Sequence, residues 1–201
     1  LNYEDLEKLE SFGRYLDSDN DGICYRTYPG THPEKGAYFT RGTSHDEYAR
    51  YTEDGNVNAE TLMRLMRKFR TASELVPEPL IEINGEDSCG IIFYGSSKPA
   101  VLEAKDILKT KNINVDLMQI RSFPFNLDVW EFIANHDRIY VVEQNRDSQM
   151  RTLIMAEGGI SAEVLRPLVH FTGDPIEAAY IVNKVSEREV NYKSHKNIKE
   201  R

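Results

Sequence analysis

Cysteine is nearly absent from this sequence: Cys24 and Cys89 stand far apart among 201 residues, with no C-x-x-C between them. That rules out an iron–sulfur cluster or zinc knuckle built from this chain, since either needs clustered thiolates. Two isolated thiols suit a reducing cytoplasm, with a disulfide between them left open. No apolar run approaches the ~18 residues of a membrane-spanning helix, and no charged–apolar–small leader opens the chain. Basic residues are outnumbered, 25 against 33 acidic, for a net charge of −8. That balance disfavours nucleic-acid binding through phosphate neutralisation. Neither G-x-G-x-x-G nor a Walker lysine occurs. The first residue is Leu1 rather than Met, and a piece of a longer polypeptide is expected.

What is present includes a long stretch, Gly22 to Tyr48, that fits neither helix nor strand. Tyr25, Tyr28, Tyr38, Phe39 and Tyr48 sit beside Arg26, His32, Arg41 and His45, and Pro29, Gly30, Pro33, Gly36 and Gly42 interrupt them. Apolar residues recur there with neither period two nor 3.6. Aromatics are too frequent for a solvated linker, so the segment reads as a packed loop with a docking role. Its candidate docking residues are Arg26, His32, Arg41 and His45. Ser44-x-x-Glu47 has capping-box spacing and predicts a short helix from Ser44. A Ser44-His45-Asp46 triad is rejected, because a triad is defined by geometry rather than adjacency.

Three regions separate by composition: an N-terminal extension (1–79), an α/β domain (80–190) and a charged tail (191–201). The extension opens with a helix around Tyr3–Tyr15. Asp17-x-Asp19-x-Asp21-Gly22 follows, the first half of a calcium-loop pattern. Position twelve of that loop is Tyr28 instead of a bidentate Glu, so an acidic turn is favoured over a metal site. A helix is predicted over 58–75, where Leu62, Leu65, Met66, Phe69, Ala72 and Val76 form a stripe. Core packing is the favoured reading of that stripe, ahead of a cofactor surface. Pro77 and Pro79 then begin a linker.

From Gly90 the chain alternates. Strands are predicted over 90–94, 115–120, 138–142 and 165–170, and helices over 99–109, 127–134 and 147–156. A last helix starts at the capping signal Asp174-Pro175-x-Glu177. From Ser186 the chain reads as a frayed helix end or disorder. This alternation implies a three-layer α/β/α fold with a mostly parallel sheet. The carboxyl ends of such strands form the usual ligand edge. Ser96, Ser97, Phe123, Phe125, Glu143, Gln144, Asn145, Arg146 and Asp147 would lie there, with Thr172-Gly173 beside them. A phosphate turn at Gly95-Ser96-Ser97 is a weaker reading than a plain tight turn. No nucleophile–base pair is recognisable, so a contact surface is favoured over a catalytic site. His136 and His170, at strand boundaries, read as structural.

Taken together and in order, Asp21–Pro33 (DGICYRTYPGTHP), Phe39–Tyr48 (FTRGTSHDEY), Phe123-Pro124-Phe125 and Val142–Asp147 (VEQNRD) resemble one family. It is the C-terminal part of the alpha subunit of 2-oxoacid:ferredoxin oxidoreductases, with the 2-oxoglutarate type the nearest branch. The likeness runs from about Phe12 to Val190. It implies a transketolase C-terminal-like domain within an enzyme that decarboxylates a 2-oxoacid on thiamine diphosphate. Such an enzyme passes electrons through iron–sulfur clusters to ferredoxin and releases an acyl-CoA. Magnesium, an upstream thiamine domain, a beta subunit, ferredoxin and CoA are implied for the full enzyme. A homodimer is compatible with it, and a cytoplasmic location is expected.

The family's Tyr-Pro-Ile-Thr-Pro, Arg-Gly-Gly-Pro-Ser-Thr-Gly and Gly-Asp-Gly motifs do not occur in this chain. No catalytic, cofactor-binding or metal residue is therefore carried over, and the expected role is structural and subunit-contacting. Arg41 and His45 are the residues that could approach an anionic substrate or CoA. The alternative is a free-standing α/β module for a small molecule or nucleotide, using the carboxyl edge of the sheet.

Overall fold

The computed structural model describes residues 1–39, 44–85 and 88–199, the side chains of 191 and 193–199 excepted. Contacts divide the chain into two units, Leu1–Leu75 and Val76–Arg201. The first begins with α1 (Tyr3–Lys8), which Asn2 and Asp5 cap reciprocally: the Asp5 N–H donates to Asn2 Oδ1 at 2.8 Å and the Asn2 N–H to Asp5 Oδ2 at 3.0 Å. The helix stops well short of the predicted Tyr15. Lys35 Nζ donates to the carbonyls of Leu6, Glu7 and Leu9 at 3.2, 3.3 and 3.0 Å, capping a helix end as a cation does. The aromatic segment therefore folds around a short helix, with Leu6 fully buried beneath it.

The helix predicted from Ser44 does not form. Asp46 Oδ1 accepts the N–H groups of Tyr48 and Arg50 at 2.9 and 2.8 Å, and His45 bridges Tyr51 across the turn. An aspartate side chain bonding its own backbone offers the chain an alternative to helix, and here that alternative wins.

Helix α2 (Gly55–Leu75) is longer than predicted, and none of its residues is buried. The expected core stripe is overturned: Leu62, Leu65, Met66 and Phe69 are all exposed. What holds the helix is its opposite face. Arg67 donates through Nε and Nη2 to Asp17 Oδ2 at 3.1 and 2.8 Å. Arg64 Nη1 donates to the Gly22 carbonyl at 3.0 Å and Thr71 Oγ1 to the Asp21 carbonyl at 2.5 Å. The acidic turn is thus a clamp on α2.

Burial of the Asp17 carboxyl opposes its ionisation, but the Arg67 bonds and the Gly22 N–H outweigh burial and hold it below its ordinary value. A carboxyl held low in the folded state adds stability that is present above the ordinary aspartate range and is lost as pH falls through its folded value. Urea titrations of α2, followed by circular dichroism from about pH 7 to about pH 3, should therefore show the anchoring weaken on acidification. Asp17→Asn should flatten that dependence; an unaltered acid profile in the variant would discount the clamp.

The second unit is a five-stranded sheet in the order β1 (Leu80–Glu82), β3 (Val115–Gln119), β2 (Cys89–Phe93), β4 (Ile139–Glu143), β5 (Leu165–Val169). β2 to β5 pair in parallel, and β1 adds to β3 antiparallel where a linker was expected. β2 and β4 are buried along their whole length, as strands covered on both faces must be. On one face α3 (Lys98–Thr110) and α6 (Ala178–Lys199) cover Ile91, Phe93, Tyr140 and Val142. On the other, α4 (Leu127–Ala134) and α5 (Gln149–Gly158) cover Ile92, Met118 and Val141. This is the three-layer α/β/α fold that the alternation predicts.

Two further features of the second unit lie at its last helix and at the β5 edge. α6 continues to Lys199, so the charged residues after Ser186 form a helix, not a frayed tail. One of them, Glu189, is buried against Arg138 and Tyr140. At the β5 edge the carbonyls of Leu165, Pro167 and Val169 each accept a side-chain bond, from Arg151 Nε (2.6 Å), Arg188 Nη1 (2.9 Å) and Tyr180 Oη (2.7 Å).

Candidate functional site

Strand order locates the candidate site. β3 lies on one side of β2 and β4 on the other, so successive connections leave β2 and β4 in opposite directions and open a crevice beyond their carboxyl ends. The loop after β2 carries Ser96 and Ser97; the loop after β4 carries Gln144 to Ser148. The structure thus brings together residues that lie nearly fifty positions apart in sequence.

The crevice is spanned by its own side chains. Gln144 Nε2 donates to Ser96 Oγ and Ser97 Oγ at 3.0 and 3.2 Å. Asn145 Nδ2 donates to Glu143 Oε2 at 2.8 Å, and Asn145 Oδ1 accepts from the Asp147 and Gln149 N–H groups at 3.1 and 3.2 Å. Arg146 and Asp147, both exposed, pair with each other at 2.7 Å.

Glu143 has a role that the sequence reading did not assign. Fully buried, it accepts the Met150 N–H at 2.7 Å and the Arg151 N–H at 3.0 Å. It therefore caps α5 from a strand end. Ser148, the residue before the helix, is left-handed and makes no side-chain cap bond, so the orphan amides of the first turn need a donor-free carboxylate from elsewhere. Burial, with the Glu143 charge next to it, pushes the Tyr94 phenol up.

The remaining sequence candidates separate. Phe125 is buried, edge-on to Trp130 at 5.6 Å and to Phe123 at 5.1 Å, and the Phe123–Pro124 peptide is cis. These residues lie after β3, away from the Ser–Gln bridge in sequence; Phe125 belongs to the α4 side of the core, while Phe123 is exposed. His32 is buried and both ring nitrogens are spent: Nδ1 accepts from the Glu34 and Lys35 N–H groups at 3.0 and 2.9 Å, and Nε2 meets Glu7 Oε1 at 2.6 Å. Its ring stacks on Tyr3, with centroids 4.8 Å apart. His45 stacks on Tyr15 at 3.8 Å, while Arg26 is exposed. Arg41 lies outside the described residues. His136 is buried between Asp116 Oδ2 (3.1 Å) and the Phe132 carbonyl (2.7 Å), and His170 meets Thr172 Oγ1 at 3.2 Å. Each is thus bonded within the fold.

The donor set decides what this edge can hold. A diphosphate needs convergent N–H or cationic donors. The side-chain amides here are already bonded, and the buried polar atoms left without a partner at this edge, Gln119 Oε1 and Asn126 Oδ1, are acceptors. Among the described residues no group of three His, Cys, Asp or Glu could hold a metal ion. Asp17, Asp19 and Asp21 are turned to Arg67, the Tyr25 hydroxyl and the Ile23 N–H instead. Both cysteines are free, and burial pushes the Cys89 thiol up to about 12, which makes it a poor nucleophile. Among the described residues, the side chains of this edge do not fit thiamine diphosphate with its magnesium. Among the described residues, no helix is long and apolar enough to cross a membrane.

No family model matches the sequence. Among curated proteins the chain is 28% identical over 176 residues to 2-oxoacid:ferredoxin oxidoreductase 2, subunit alpha, of Aeropyrum pernix, a match taking in 83% of this chain and 26% of that protein. It is 28% identical over 140 residues to the 2-oxoacid:ferredoxin oxidoreductase subunit alpha of Saccharolobus solfataricus, covering 67% and 22%. The chain therefore spans about a quarter of the length of the curated relatives it matches. Among solved structures, the 2-oxoglutarate:ferredoxin oxidoreductase of Magnetococcus marinus, with 2-oxoglutarate, coenzyme A and succinyl-CoA bound, superposes with a TM-score of 0.78. That match covers 90% of this chain and 31% of the other at 23% identity, and it establishes the fold. The resemblance carried by the sequence is borne out: the curated homologues are alpha subunits of 2-oxoacid:ferredoxin oxidoreductases.

Proposed function

We propose that this chain is the C-terminal part of the alpha subunit of a thiamine-diphosphate-dependent 2-oxoacid:ferredoxin oxidoreductase. In this reading the enzyme is of the 2-oxoglutarate type and forms succinyl-CoA and reduced ferredoxin. The chain contributes structure and subunit contact, and the thiamine, magnesium and cluster chemistry belongs to the upstream thiamine domain and the beta subunit. The observation that carries this reading is the polar bridge at the switch point. Where an open α/β sheet usually receives its ligand, Gln144, Ser96 and Ser97 bond to one another. A free-standing nucleotide module would keep those donors for its ligand, so that alternative is disfavoured.

Calorimetry of the isolated chain with thiamine diphosphate should give no micromolar binding, and the chain alone should not turn over 2-oxoglutarate. Tight binding with turnover by the isolated chain would sink the proposal. Arg146, exposed at the edge of the bridged crevice, is the residue assigned to subunit contact. Arg146→Ala should weaken capture of the beta subunit about 10-fold, as loss of an interfacial arginine does. Unchanged capture would remove it from the interface.

A further inference from the structure

We propose that Asn84 is a site of spontaneous deamidation, and that its conversion unfastens the edge strand β1 from the sheet. Asn84-Gly85 is the one Asn-Gly pair in the sequence. In such a pair the glycine backbone nitrogen can attack the asparagine carboxamide carbon, because no side chain shields it. The bond from Gly85 N to Asn84 Cγ forms, the Cγ–Nδ2 bond breaks, and ammonia leaves with the proton of the glycine nitrogen. Water then opens the cyclic succinimide to aspartate or isoaspartate. The step needs no enzyme, cofactor or oxidant.

The fold leaves this pair open to reaction. Both residues are exposed. Among the described residues the Gly85 N–H donates to nothing, and a Cβ on Gly85 would meet Asn114 Nδ2 at 3.7 Å and nothing nearer. β1, just before the pair, is three residues long and exposed throughout, so its end frays at low cost. Neither residue can be exchanged freely. Gly85 has φ +147, a conformation that favours glycine. Asn84 Nδ2 donates to the Val115 carbonyl at 2.9 Å, a bond that a carboxylate cannot make. The turn thus requires the two residues that together are labile.

What Asn84 holds decides the effect. β1 pairs with β3 from Leu80↔Gln119 to Glu82↔Leu117. Two bonds of Asn84 extend that pairing, from Nδ2 to Val115 and from the backbone N–H to Asp116 Oδ1 at 2.7 Å. Asp116 is buried, with Oδ2 against His136 Nε2 at 3.1 Å. Deamidation replaces the donor facing Val115 with an acceptor and sets a second carboxylate beside Asp116. The lost hydrogen bond and the like-charge repulsion act in the same direction. The isoaspartyl product also adds a methylene to the main chain directly after β1. Both products loosen the same edge, and because the ammonia is lost to solvent the release is set by time.

The test ages the chain in mildly alkaline buffer and reads each asparagine by peptide mass spectrometry, with isoaspartate scored by an isoaspartyl methyltransferase. Asn84 should convert faster than any other asparagine, to both isomers. Conversion in the urea-unfolded chain but not in the folded chain overturns the inference, because the fold then shields the pair. Asn84→Gln, whose longer side chain closes the ring poorly, should abolish the isoaspartate signal. A signal at the wild-type level in that variant overturns the assignment to Asn84.

Hydrogen exchange tests the release. In the aged chain and in fresh Asn84→Asp, the β1 amides should exchange about 10-fold faster than in the fresh wild-type chain, on the scale of one lost hydrogen bond. Exchange in β2 and β4 should stay unchanged. Wild-type exchange of the β1 amides in both samples overturns the release.

Discussion

Glu189→Ala should destabilise the α/β unit by about 3–5 kcal/mol and lower its melting temperature by roughly 10 °C or more. Glu189 is 2% exposed and Arg138 8%. The carboxylate accepts Arg138 Nε at 3.1 Å and Tyr140 Oη at 2.8 Å, and Arg166 Nη1 lies 3.9 Å away. The Tyr192 ring lies 4.0 Å from the Arg138 guanidinium carbon, adding a cation–π contact. Burial, with the Glu189 charge beside it, pushes the Tyr140 phenol up, so it stays a donor. Removing the carboxylate leaves a desolvated guanidinium unpaired, which costs far more than the pair contributes net. Two comparisons separate these terms in thermal and urea unfolding. Glu189→Gln keeps an acceptor for Tyr140 and should lose less. Arg138→Met with Glu189→Leu removes both charges and should recover most of the loss. A change below about 1 kcal/mol for Glu189→Ala would mean that water reaches the pair.

Gly22→Ala should detach α2 from the acidic turn, at a loss of at least about 3 kcal/mol to the first unit. Gly22 has φ +80, and a Cβ there would sit 2.1 Å from Lys68 N, 2.6 Å from Lys68 Cα and 2.7 Å from the Arg64 carbonyl oxygen. All three are backbone atoms of α2, so no rotamer change relieves the overlap. The turn and the helix must separate, breaking the Arg64–Gly22 and Thr71–Asp21 bonds with them. Hydrogen exchange of the α2 amides should rise while that of β2 and β4 stays at the wild-type rate. Wild-type protection of α2 in the variant would falsify the close approach. Gly30 provides the control: it also has positive φ, but a Cβ there meets nothing within 4 Å, so Gly30→Ala should cost only its backbone strain.

The α/β unit was legible because its strands and helices obey their periods. The apolar runs GIIFY and RIYVV and the stripe Ala100–Leu108 landed in the core with boundaries off by one or two residues, and the stripe Ile181–Val185 is buried too, although its helix runs on to Lys199. β1 was not legible, since three residues directly after Pro79 carry no period. Nor was the capping role of Glu143, which depends on a strand end meeting a helix start in space. The α2 stripe shows the limit of periodicity. It identifies an apolar face correctly, but whether that face is turned inward depends on which side the clamp holds, and Asp17 and Gly22 lie 50 and 42 residues from their partners. At the switch point the loops after β2 and β4 could be named from the sequence, yet the Gln144–Ser96 bond between them required the strand order.

The treatment of β5 also governs how copies of this protein can combine. With its three outward carbonyls occupied and Pro167 lacking an N–H, that border offers a foreign strand almost nothing to pair with. Among the described residues β1 pairs on one side only, and it is three residues long. Extension of the sheet, whether into a continuous dimer or into aggregate, is therefore polar. It can proceed from one border alone, through a template too short to hold a strand without help from side-chain contacts.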